Sequence, residues 1–67
     1  NSKVWLVRYS NNQGTRWLIQ NLDAENSTLA SIPNELIGIA TELISTEQMQ
    51  LPEQFLLKPA QTLILTL

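Results

Sequence analysis

The chain has 67 residues, 43% of them hydrophobic, and a formal net charge of −2 from four basic and six acidic side chains, with neither histidine nor cysteine. A serine or cysteine nucleophile needs a base beside it, so this composition nearly excludes that chemistry, and it excludes disulfides and zinc sites built on thiolate or imidazole. The acidic balance, with a pI near 4.7, opposes a nucleic-acid partner, which requires a basic face to displace counterions from phosphate.

One domain is the most this length can hold, and a domain so small hides only about 60% of the surface that its unfolded chain exposes. Its core is marginal, and a partner surface is the expected support. A cysteine-free chain is stable in either redox environment, so the compartment stays open between cytoplasm and secretion. The longest uninterrupted apolar run, Val4 to Val7, falls far short of the ~20 residues that span a bilayer, so neither a membrane segment nor a signal peptide is expected. Only 15% of the chain is charged, against about 25% in ordinary soluble domains, and the first residue is Asn1. Together these read as a piece of a larger polypeptide, with residues 1–67 forming a single domain. Six Asn, six Gln, five Ser and six Thr supply an uncharged polar surface suited to lying against another domain.

In chain order, Lys3 to Tyr9 and Arg16 to Leu22 are rich in β-branched and aromatic residues, and Ser10 to Thr15 between them is a cluster of turn formers. That pattern predicts a hairpin, with Gly14 supplying a positive φ. Alternation places Val4, Leu6 and Arg8 on one face of the first strand and Trp5, Val7 and Tyr9 on the other. Neither face is simply polar, so the strand is expected to be covered on both sides. In the second strand Trp17, Ile19 and Asn21 share a face opposite Arg16, Leu18, Gln20 and Leu22. Residues 23–26 read as a turn, and Ser27 to Ile32 as a short strand ended by Pro33.

Asn34 to Gln48 is ambiguous. Leu36, Ile37, Ala40, Leu43 and Ile44 have the spacing of one apolar helix stripe, whereas Gly38 and the β-branched Ile37, Ile39, Thr41 and Ile44 oppose a helix. Ser45 to Gln54 reads as a loop, Phe55 to Leu57 as a strand and Lys58 to Gln61 as a proline-containing turn. Thr62 to Leu67 is a strand with Leu63, Leu65 and Leu67 inward. The fold class is all-β, a small antiparallel Greek-key-like β-sandwich of about six strands; the alternative is α+β with one helix at 34–48.

Two constellations could carry chemistry. A pair of carboxylates for glycoside hydrolysis is formally available among Asp23, Glu25, Glu35, Glu42, Glu47 and Glu53, but most sit in turns or loops, and solvated surface charge is the expected reading. Trp5 and Trp17 could stack on sugar rings with Gln20 and Asn21 binding hydroxyls, an oligosaccharide platform, or could pack in a core or interface as tryptophan does in small domains. Asn26, Ser27 and Thr28 match the glycosylation sequon, a short pattern that arises often by chance.

The order of elements resembles the small β domain that closes many glycoside hydrolases of the α-amylase superfamily, family 13. The first strand with its trailing arginine, Val4 to Tyr9, and the second strand running through Asn21 to Asp23 are similar to that domain's opening pair. Leu29 to Pro33 matches its short strand ending in proline. Ala40 to Ser45 matches its central strand, and Phe55 to Leu65, with Pro59 in the turn, its closing signature. The C-terminal domains of family 42 β-galactosidases share much of this pattern. Asp23, where Ser or Thr is commoner, and 34–39 depart from it. The resemblance implies a non-catalytic C-terminal domain of a bacterial-type enzyme acting on α-glucosides. Its partner would be the preceding catalytic barrel of the same polypeptide; Arg8, Asn21 and Pro59 would be structural, and no cofactor or metal would be involved. A carbohydrate-binding module and a small protein-interaction domain with a helix at 34–48 are the rival readings.

Overall fold

A computed structural model describes residues 3–66. Among them seven strands form, β1 (Val4–Asn11), β2 (Gly14–Asn21), β3 (Thr28–Ser31), β4 (Gly38–Glu42), β5 (Glu47–Leu51), β6 (Gln54–Leu57) and β7 (Thr62–Thr66), with one 3₁₀ turn at Asn34–Leu36. β1, β2, β7, β4 and β5 make a five-stranded sheet in that order, and β3 with β6 makes a two-stranded sheet. All paired strands are antiparallel. The chain passes from the large sheet to the small one and back twice, and its last strand inserts between β2 and β4, so the all-β, Greek-key-like sandwich is the fold observed.

The register sorts the side chains. Residues directly opposite on paired strands share a face, so the β1–β2 and β2–β7 pairings place Val4, Leu6, Arg8, Trp17, Ile19, Asn21, Leu63 and Leu65 on the inner face. Ala40, Glu42, Met49 and Leu51 join them from β4 and β5. Against this face the two-stranded sheet turns Thr28, Ala30 and Leu57, with Ile32 and Leu36 completing a core of buried residues. The strand expected at the C-terminus has Leu63 and Leu65 buried as predicted; Leu67 lies outside the described residues.

Three expectations need correction. No helix forms over 34–48: Leu36 ends a single 3₁₀ turn, Gly38 has φ +113, far from helical values, and β-branched Ile39 and Thr41 continue as strand. Leu36 and Ala40, four apart on the supposed stripe, are both buried, but a plug followed by a strand brings this about. The loop expected at 45–54 contains β5, whose Met49 and Leu51 alternate inward against Gln48 and Gln50, a period of two that the polar composition obscured. With it the described residues hold seven strands, in keeping with the expected small sandwich of about six. β1 is not covered on both sides within this chain; Trp5, Leu6 and Tyr9 are all exposed, because β1 is the sheet's terminal strand.

The turns follow from particular residues. Asn11 and Gly14 close the first hairpin, with Gly14 at φ +128 as expected, and the Asn11 side chain accepts the Gln13 amide at 2.8 Å. In the turn from β6 to β7, Pro59 occupies the position where its fixed φ suits a type II turn, and Ala60 takes the positive φ, +57, which that turn requires. The Gln61 amide closes it on the Lys58 carbonyl at 3.0 Å. A side chain in the left-handed region is strained, so Ala60→Gly is expected to stabilise the fold by about 0.5–1 kcal/mol, read as a rise of a few degrees in melting temperature by circular dichroism.

Candidate functional site

The proposed sugar platform separates. Trp5 and Gln20 are cross-strand partners on the outer face of the large sheet, and Thr62 follows Gln20 in the same row. Trp17 is opposite Arg8 and points to the other face, where it packs against the core. Trp5 and Gln20 are thus brought together, with Trp5 51% exposed, while Trp17 cannot share a surface with them.

Trp17 belongs to a different cluster. The Glu35 carboxylate, carried over the inner face by the 3₁₀ turn, accepts a hydrogen bond from Arg8 Nε at 2.7 Å and one from the Trp17 indole N–H on the same oxygen. The bond from Arg8 is the main reason the Glu35 carboxyl lies below its ordinary range; partial desolvation opposes the shift and the indole bond adds to it. The same bond holds the Arg8 guanidinium more firmly charged. Together the three side chains latch the strap between β3 and β4 to the Arg8–Trp17 pair of the first hairpin. Nothing near Glu35 in sequence announces this, since Arg8 is 27 and Trp17 18 positions away.

Asn21, 1% exposed, ties three segments together. Its Nδ2 donates to the carbonyls of Asn26 at 2.9 Å and Lys58 at 3.0 Å, with the Leu57 carbonyl at 3.5 Å. Its Oδ1 accepts the Asp23 amide at 3.0 Å, and its own amide donates to the Gln61 carbonyl at 2.9 Å. Asp23 continues the loop by accepting the Glu25 and Asn26 amides. These backbone bonds are the leading cause of its lowered pKa, and Lys3 at 3.8 Å contributes a smaller part.

Glu42 overturns the expectation of a solvated charge. It is 4% exposed, at the end of β4 where that strand parts from β7. One carboxylate oxygen accepts the Ile64 amide at 2.9 Å and the other the Ser45 amide at 2.7 Å. The carboxylate thus continues the β7 pairing beyond the end of the ladder and closes the turn into β5. Burial alone would raise its pKa, but the amides of Ile64, Ser45 and Ile44 outweigh burial and leave it lowered. The sequence signal was available in retrospect: Glu42 holds an inward position of the Gly38, Ala40, Glu42 alternation.

No protein-family model, curated protein or solved structure matches the chain. Among the described residues, then, the acids with the most partners, Asp23, Glu35 and Glu42, are all engaged in holding turns and strand ends.

A carboxylate whose pKa is lower in the folded than in the unfolded state stabilises the fold fully above the unfolded value. That contribution is lost as pH falls through the folded value. Glu42→Gln removes it, and is expected to lower the melting temperature at pH 7 by about 4–8 °C. The gap between wild type and variant should narrow steadily on acidification below the ordinary carboxylate range, measured by thermal denaturation across pH.

Proposed function

We propose that this chain is a non-catalytic accessory domain of a glycoside hydrolase acting on α-glucosides, a C-terminal β domain that packs on the catalytic barrel and stabilises it. The observation that carries the reading is on the outward face of the two-stranded sheet. There Leu29 and Leu56 are cross-strand partners, 49% and 59% exposed, side by side. An apolar pair of this kind on so small a sheet gains about 25 cal/mol per Å² when a second body removes it from water. The acids support the same role, since Asp23, Glu35 and Glu42 serve the fold's own turns. The resemblance of Val4 to Asp23 and Phe55 to Leu65 to the closing domain of the α-amylase superfamily supplies the nature of the parent.

In the full-length polypeptide, Leu29→Ser combined with Leu56→Ser is expected to lower the melting temperature of the catalytic domain by about 5 °C. The kcat/KM for an aryl α-glucoside should be unchanged. A catalytic domain whose stability does not respond, or a parent that hydrolyses no glycoside, would refute this reading.

A further inference from the structure

β1 ends the five-stranded sheet, and the phase of its hydrogen bonds is fixed by its neighbours. The Leu22 amide donates to the Lys3 carbonyl at 2.7 Å, one pair beyond the β1–β2 register. In an antiparallel ladder such pairs recur every second residue, so the odd-numbered residues of β1 bond to β2. Val4, Leu6, Arg8 and Ser10 therefore turn their N–H and C=O groups to the open edge.

Sheet edges are ordinarily shielded by shortness, proline, a bulge or a charge. β3 and β6 have four residues each, with Pro33 after the first and Pro52 and Pro59 on either side of the second. β5, at the far end of the large sheet, has five residues, opens with Glu47 and stops at Pro52. β1 has eight residues in unbroken register with β2 and contains neither proline nor bulge. Its one charge, Arg8, is bound to Glu35.

We propose that β1 pairs antiparallel with β1 of a second copy of this chain about a two-fold axis at Val7, joining the two large sheets into one of ten strands. Only axes through a residue, not between residues, keep the inner faces of both copies on one side. An axis at Val7 sets the outward-turned backbone of Leu6 against that of Arg8 in the second copy, and Val4 against Ser10. On the outer face it places Trp5 beside the second copy's Tyr9, and Val7 beside Val7, an aromatic cross-strand pair on each side of an aliphatic one. The aliphatic row Leu18 and Val7, which continues through Ile64 toward Leu43, then runs unbroken into its counterpart. Four such pairs give about eight hydrogen bonds. At one bond per ~100–200 Å² this corresponds to an interface of about 800–1,600 Å², the size at which specific association begins. The edge is matched to its own reverse, and this selects a second copy over a strand of another protein. The inference is independent of the glycosidase reading.

Analytical ultracentrifugation of the 67-residue chain tests it. The mass should double as concentration rises from about 1 μM to about 1 mM, with a micromolar dissociation constant. Over the same range, amide exchange at Leu6 and Arg8 should slow while exchange at Val7, already bonded to β2, stays constant. Val7→Lys and Val7→Glu each place like charges face to face at the axis, so each alone should weaken association at least about ten-fold; their equimolar mixture should restore a dimer. Wild type that stays monomeric at about 1 mM, protection that grows at β5 or β3 instead of β1, or a charge-paired mixture that stays monomeric overturns the proposal. The exchange experiment on wild type decides the matter even if a variant fails to fold.

Discussion

The buried amide of Asn21 is the joint on which the two layers depend. A sandwich of five strands over two has few places where the sheets are tied by anything but apolar contact, and side chains in contact alone leave the layers free to slide. Asn21 stands at the end of β2 in the large sheet, yet its Nδ2 serves carbonyls of the 23–26 loop and of the turn that follows β6 in the small one. Its own amide reaches Gln61 at the entry to β7. A buried amide hydrogen satisfied in this way contributes modestly, but the same group left without partners costs more than the bond was worth. The three segments therefore hold one arrangement, and Leu57 and Leu63 enter the core in fixed register as a result.

The charged residues complete this economy of parts. Glu42 closes the turn after β4 as Asn21 closes those beyond β2, accepting backbone amides where the β4–β7 ladder stops. Glu35 fastens the strap that carries Leu36 into the core. In a chain too small to bury a large core, polar side chains at strand ends replace part of the missing apolar area. The exposed large apolar side chains include Leu29 and Leu56 on one side and Trp5 and Tyr9 on the other. These surfaces are where the proposed partner domain and the second copy would sit.

Much of the fold was legible in the sequence, and the gaps have physical causes. The first hairpin and the C-terminal strand were readable because alternation and turn residues agree there, with Gly14 and Pro59 in the positions their backbone geometry requires. The 34–48 segment misled because Leu36 and Ala40 satisfy both a helical stripe and a plug followed by an inward strand position; only the positive φ of Gly38 separates the two. β5 was hidden because an edge strand over a small core tolerates Gln on its outer face. The face assignment of Trp17 with Ile19 and Asn21 was readable, and it already placed Trp17 opposite Gln20. What no local pattern could disclose is that Arg8 and Trp17 converge on Glu35, because that contact exists only after the sheets have stacked.

The joint at Asn21 is tested most directly by Asn21→Asp, which keeps the shape of the side chain and removes both amide hydrogens. Equilibrium urea denaturation at pH 7 should show a loss of about 3 kcal/mol, since a carboxylate would face the Asn26 and Lys58 carbonyls without a donor. A variant as stable as wild type, with an unchanged denaturant slope, would contradict the account.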